Sequence, residues 1–182
     1  MKELSQHILD IMHNSLSAKA TELKLDITEN KQEDSYFIRI ADNGKGIPPE
    51  MLETVVDPYT TSRKSRKVGM GLPLFRMSAE QTNGYLNIRS KTGEGTVVEA
   101  LFIHSHIDRP PLGDIAGTLV LLMASFPDND FIYTHQTDKR TFIFDSREIK
   151  KELDGVPLNN ASVIHFLKDM INENLKEIDA DV

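Results

Sequence analysis

There is no cysteine among the 182 residues. That absence removes a disulfide framework, thiolate metal sites and cysteine nucleophiles from the chemistry open to the chain. Long apolar runs are missing as well. GTLVLLMASF (117–126) reaches only about half of the roughly 20 residues that a membrane-spanning helix requires. The opening MKELSQHILDIMHNS carries polar residues every few positions, so it reads as neither a signal peptide nor an anchor, and the expectation is a cytoplasmic protein with no membrane partner. Excess positive charge is lacking too. A net charge of −7 argues against nucleic acid as a general partner. No repeat or low-complexity segment occurs. What is present, 39% hydrophobic and 27% charged residues, suits a soluble chain with a real core, folded as one domain or as a domain plus an appendage.

Periodicity supplies the elements. Leu4, Ile8, Ile11, Met12, Leu16 and Ala20 have helical spacing, whereas Leu23, Leu25 and Ile27 alternate as in a half-buried strand. YFIRIA (36–41) reads as a second strand after the polar turn ENKQEDS. PPEMLETV starts a short helix with proline in its first turn. Residues 57–69 hold little that could be buried and read as a mobile loop. MGLPLFRMSAEQT is a helix closed by Asn83-Gly84, with Pro73 tolerable because it falls in the first turn. YLNIRS and TVVEALFIH are strands joined by the glycine turn KTGEG. SHIDRPPLG (105–113) reads as a boundary. Beyond it come an apolar helix (114–125), a hairpin DFIYTH–QTDK–RTFIF, and helices near 146–153 and 159–177, the last with Ile164, Leu167, Ile171 and Leu175 on one face. The expected organisation is a domain over 1–106 and a small α+β appendage over 110–182, serving partner contact or self-association as a homodimer.

Four short stretches carry candidate chemistry. In DIMHNSLSAKAT (10–21), Asp10 and Asn14 lie one helical turn apart, with Ser17 and Ala18 one turn further along the same face. A carboxylate and an amide so spaced can act as a base and as an oxygen ligand for a hard cation such as magnesium; the alternative is a polar stripe on an amphipathic helix. DNGKGIP (42–48) is either a plain turn or a loop kept open for a ligand. VGMGLPL (68–74) places two glycines where a basic loop becomes a helix, and free N–H groups there favour phosphate. It lacks the Lys-Ser/Thr of a Walker loop, and Leu74 occupies the third-glycine position of a dinucleotide fingerprint. RKSRK (63–67) is either a solvated loop or counter-charge for a phosphorylated ligand. GEGT (93–96) ends the series, with Thr96 entering a strand.

In this order the stretches resemble the GHKL ATPase superfamily of gyrase-type topoisomerases, heat-shock chaperone ATPases, histidine kinases and the mismatch-repair ATPase. DIMHNSLSAKAT is similar to the mismatch-repair and chaperone form of the first box. The stretch from VDPY (56–59) to VVEALF is similar to the histidine-kinase form of the rest. The resemblance covers roughly residues 1–104. It implies a two-layer α/β sandwich of the α+β class, a mixed sheet with helices on one face, and ATP held between helices and a lid. It further implies that Asp42 accepts a hydrogen bond from the adenine amino group, that Gly44 and Gly46 let the backbone pass the base, and that Thr96 supports the adenine edge, directly or through water. Asn14 would ligate Mg2+ bridging the phosphates. Gly69 and Gly71 would present N–H groups to phosphate, with Arg63, Lys64 and Lys67 near the charged end. Ser17, Ala18, Ile47, Met70 and Leu72 complete the implied nucleotide contacts.

Departures from the pattern bear on turnover. Asp10 stands where the family usually has a catalytic glutamate, one methylene longer, so the base reaches its water less readily. Leu9 replaces the histidine that precedes this acid in histidine kinases, and Ser17 replaces a common lysine or aspartate. His7, one turn before Asp10, reads as a helix-surface histidine, and His165 as solvated. His104 and His106 have strand spacing that would share a face. The phosphoacceptor hairpin of sensor kinases has no counterpart in these residues, so the expected acceptor is on another protein. Two functions are therefore expected to compete: an Mg-ATP-dependent catalytic module of histidine-kinase type, transferring phosphoryl to a separate protein or to water, and an ATP-gated protein-binding switch with little chemistry.

Overall fold

Hydrophobic alternation builds the sheet. The computed structural model describes residues 2–55 and 71–182, in the order α1 (Leu4–Ser17), β1 (Glu22–Asn30), β2 (Ser35–Asp42), α2 (Pro49–Val55), α3 (Gly71–Glu80), β3 (Tyr85–Lys91), β4 (Gly95–Ile103), α4 (Ile115–Ser125), β5 (Asp130–Gln136), β6 (Thr141–Asp145), α5 (Ser146–Glu152) and α6 (Ala161–Glu177). Leu23, Leu25 and Ile27 of β1, Tyr36, Ile38 and Ile40 of β2, Val98, Ala100 and Phe102 of β4, and Phe131 and Tyr133 of β5 are all buried. Their period of two turns them to one face, against the helices. The six strands run β3-β4-β2-β1-β5-β6. Every neighbouring pair is antiparallel except β1 and β5, which makes the sheet mixed. The result is the expected two-layer sandwich with helices on one face.

The sheet continues past residue 110. β5 pairs in parallel with β1 from Glu22↔Asp130 to Thr28↔Gln136, and β6 extends the same edge. α4 packs between α1 and α6, and buried residues from Leu4 to Ile178 form one continuous cluster. Pro110, Pro111 and Gly113 look like linker chemistry, yet the Pro111 and Leu112 carbonyls accept from Leu4 N (2.9 Å) and Ser5 N (2.8 Å), fastening this segment to the start of α1. On α6 the buried stripe is Val163, Leu167, Ile171 and Leu175, with Ile164 only half-buried. Among the described residues no helix is long and apolar enough to cross a membrane.

Three local expectations are corrected. Glu29, assigned above to a turn, lies in β1 and is 2% exposed. Partners distant in sequence satisfy one of its two oxygens: Oε1 accepts from His135 Nε2 (2.7 Å) and from Asp181 N (2.9 Å). A carboxylate only accepts, so Nε2 carries a ring proton, while Nδ1 lies 2.6 Å from the Tyr133 hydroxyl. Burial pushes the Tyr133 phenol well above its usual value, which keeps that hydroxyl protonated. His104 and His106 do not share a strand face, because β4 ends at Ile103. Instead His104 Nε2 lies 3.7 Å from Glu29, and His106 Nδ1 accepts from Asp108 N at 3.1 Å.

His7 is the third. It is 2% exposed and stacks on Phe75 with ring centroids 5.2 Å apart. Neither ring nitrogen has a hydrogen-bond partner among the described residues. Burial holds the imidazole below its usual 6.5, against the opposing pull of the Gly71 backbone and the Asp10 carboxylate. Below pH 6.5 the unfolded chain therefore binds a proton that the native one refuses, and native stability falls as pH drops until the folded value is passed. In urea titrations between about pH 7.5 and 5.5, His7→Phe should flatten the pH slope relative to the unsubstituted chain. The difference is bounded at about 1.4 kcal/mol per pH unit, the linkage of one proton. Parallel slopes would mean that the native state takes up that proton.

Candidate functional site

The loop after β2 is wired in place, not left as an Asn-Gly turn. Asn43 Oδ1 accepts from Thr21 N (2.8 Å) and Glu22 N (2.9 Å), anchoring the loop to the start of β1. Lys45 N donates to Ala18 O (3.1 Å) at the end of α1, while Lys45 O accepts from Gly93 N (2.8 Å) in the β3–β4 turn. Ile47 N donates to Ser90 Oγ at 2.8 Å. A loop held from three sides keeps its shape without a ligand. Gly46 makes the close passage possible: its φ is +71°, and a Cβ there would lie 2.2 Å from Lys91 O.

Above this loop is a cavity of about 610 Å³, within the size range of small-molecule sites. Its walls come from α1 (Ile11, Asn14, Ser15, Ser17) and Ala18 just after it, from β2 and the wired loop (Ile40, Asp42, Lys45, Gly46, Ile47, Pro48), from α2 (Met51, Val55), from Leu72 of α3, and from Thr92, Thr96 and Val98. Asp42 and Thr96 face each other in the β2–β4 register, so a carboxylate and a hydroxyl stand side by side in a largely apolar chamber. The carboxylate is oriented from both sides: Gly44 N donates to Oδ1 (2.8 Å) and Ser15 Oγ donates to Oδ2 (2.6 Å). Each oxygen keeps a lone pair for a further donor. The half-buried Asn14 amide lines the same cavity and has no hydrogen-bond partner among the described residues.

Of the residues singled out from sequence, Asn14, Ser17, Ala18, Asp42, Gly46, Ile47, Leu72 and Thr96 line this cavity. Gly44 sits behind the wall, holding Asp42. Asp10 is exposed and outside the lining. It stands beside Gly71, the first residue of α3, where an added Cβ would come within 2.9 Å of the Asp10 Cβ. Glycine there lets the amino end of α3 approach α1. Arg63, Lys64, Lys67, Gly69, Met70, VDPY and the loop over 57–69 lie outside the described residues. Sequence reasoning passes over Ser15 and Ser90. Ser15 carries a weak signal, a hydroxyl on the inward face of an amphipathic helix next to Asn14. Ser90 carries none, since only the strand register brings it to Thr96.

A family model described as "Histidine kinase-, DNA gyrase B-, and HSP90-like ATPase" matches residues 1–106 of the 182. The chain belongs to this family. It is an ATP-binding GHKL module related to histidine kinases. Similar proteins include the sensor histidine kinase ZraS of Salmonella typhimurium, 30% identical over 95 residues, which covers 52% of this chain and 20% of ZraS. Histidine protein kinase DivJ of Caulobacter vibrioides is 32% identical over 101 residues, covering 53% of this chain and 17% of DivJ. The GHKL chain thus spans a fifth or less of either relative's length. Among solved structures, the ADP-complexed MutL ATPase domain of Aquifex aeolicus superposes with a TM-score of 0.50 at 20% identity, over 80% of this chain and 63% of that one. The N-terminal domain of a DNA repair protein gives 0.53 at 15% identity, over 79% and 52%. At such identities these likenesses speak to the fold alone. Both coverages exceed the 1–106 region, consistent with a sheet that runs on into β5 and β6.

Proposed function

We propose that this cavity binds Mg-ATP and that the chain is a histidine-kinase-like catalytic module, passing the γ-phosphoryl group to a separate protein or to water. What supports the reading is one juxtaposition: Asp42 and Asn14 line the same cavity, with Thr96 next to Asp42. Asp42 accepts from the purine amino group, and the apolar walls around Ile40, Met51 and Val98 hold the ring. The Asn14 side-chain oxygen would hold magnesium, an ion that needs few protein oxygens. When bound, magnesium screens the polyphosphate charge during transfer. The amino end of α3 at Gly71 faces the phosphates with N–H groups and the positive end of the helix dipole. Asp10, beside Gly71, takes the proton from the attacking group, an acceptor side chain of the partner protein or water. The new bond to the γ-phosphorus forms as the β–γ bridging bond breaks, and ADP leaves.

One observation favours a second reading. Asp10 is shorter than the family's glutamate and lies outside the cavity lining, which suits a switch in which bound ATP gates a protein partner with little turnover. Labelled ATP and magnesium, offered to the protein alone and with cell extract, separate the two. For the catalytic module, Asp10→Asn should keep ATP affinity while product falls by about 100-fold, in line with loss of a general base. Asn14→Ala should raise the magnesium needed for tight binding. Tight binding with no product in any mixture would establish the switch instead, and no binding by the unsubstituted chain would remove both.

A further inference from the structure

Ser90 does not line the cavity, yet three bonds converge on its Oγ. It accepts from Ile47 N (2.8 Å), donates to Gly95 O (2.9 Å), and lies 2.9 Å from Thr96 Oγ1, where either hydroxyl could be the donor. The proton count resolves that ambiguity. A serine hydroxyl has one hydrogen and two lone pairs. Gly95 O only accepts and Ile47 N–H only donates. All three bonds form together only when Ser90 gives its hydrogen to Gly95 O and Thr96 gives its own to Ser90. Thr96 then turns lone pairs, and no proton, towards the cavity.

We infer that Ser90 is a positioning residue for base selection, which rests on the adenine reading of the cavity proposed above. By holding the Thr96 proton, it makes the Asp42–Thr96 wall accept only. Such a wall suits a purine that presents an amino group at position 6. It opposes one that presents an oxo group there: the two hydrogens of the amino group satisfy both acceptors, whereas a 6-oxo purine brings a single hydrogen, on N1, and sets its oxygen against the other acceptor. Without the Ser90 hydroxyl, the Thr96 hydroxyl turns freely, donates into the cavity, and the opposition to a 6-oxo purine weakens. The backbone groups of Ile47 and Gly95 lose a partner in the same change, so overall affinity falls as well.

The test compares ATP with inosine triphosphate, which carries oxygen in place of the 6-amino group, by calorimetric titration on the full chain. Ser90→Ala should lower the ATP-over-inosine preference by about tenfold, the value of one hydrogen bond. Should Ser90→Ala fold poorly, Ser90→Thr and Ser90→Val give a pair of equal shape that differs only in the hydroxyl; the preference should survive in the first and fall in the second. In a Thr96→Val background, where there is no proton to direct, Ser90→Val should change the preference no further. A structural role alone would weaken both nucleotides by one factor and leave their ratio intact, which would overturn the inference while the ATP reading stands. Failure of the unsubstituted chain to bind ATP would instead defeat the reading beneath it.

Discussion

Asp42→Asn is expected to weaken ATP binding by about 10- to 100-fold. The substitution hardly disturbs the fold, because an asparagine oxygen can still accept from Gly44 N, and its amide can donate to the Ser15 hydroxyl, which accepts as readily as it donates. At the cavity the outcome differs. A charge-assisted acceptor is lost and an N–H donor turns towards the donor amino group of the base. Loss of a hydrogen bond to a charged group amounts to about 1.5–3 kcal/mol, and each 1.4 kcal/mol is tenfold in affinity. Titration calorimetry reads the loss, and a melting temperature close to that of the unsubstituted chain shows that the fold is intact. ATP binding unchanged in Asp42→Asn would take the base away from this carboxylate.

Gly95→Ala is expected to cost about 3 kcal/mol or more of stability. Gly95 has φ +110°, and a Cβ there would sit 1.9 Å from Asp42 O and 2.9 Å from the Asn43 Cα. Backbone cannot swing aside as a side chain does, so β4 would be pushed from β2 where Asp42 pairs with Thr96. Nucleotide binding should therefore be lost along with stability. Gly93 supplies the control. Its φ is +83° but its added Cβ meets nothing within 4 Å, so Gly93→Ala should cost only the left-handed strain, about 1–2 kcal/mol. Urea midpoints measure both. Similar, small costs at the two positions would mean that β4 does not pass Asp42 as closely as the structure has it.

Both experiments concern short stretches whose chemistry is legible in the amino-acid sequence. Asp42, Gly46 and Thr96 sit in DNGKGIP and GEGT, where residue type and spacing are local. Local too are the alternation of Leu23, Leu25 and Ile27 and the helical spacing from Leu4 to Leu16, because each pattern is written within a few residues of chain. Ser15, Ser90 and His7 are not legible in the same way. Ser15 matters because Asp42 lies 27 positions on and 2.6 Å away. Ser90 matters because β3 and β4 register it against Thr96. His7 falls on the stripe of Leu4 and Ile11, yet its side chain is polar, and only folding lays Phe75 over it.

Residues 110–182 show the same division at a larger scale. Their helices and hairpin are readable from hydrophobic period and turn residues. Pro110, Pro111 and Gly113 also make a domain boundary plausible, since those residues interrupt local structure wherever they occur. How the sheet is assembled depends on strand pairing. β5 lies along β1 although more than a hundred residues separate Leu23 from Phe131, and Glu29 is paired inside the core by His135 and Asp181. Sequence alone determined the element types, the family motifs and the residues that offer a carboxylate, an amide and a hydroxyl. Tertiary structure decided which of them share one cavity, which way their protons point, and that the C-terminal strands join the same sheet. Side-chain chemistry and backbone propensity are properties of short segments, whereas register and burial depend on groups that meet only after the chain has folded.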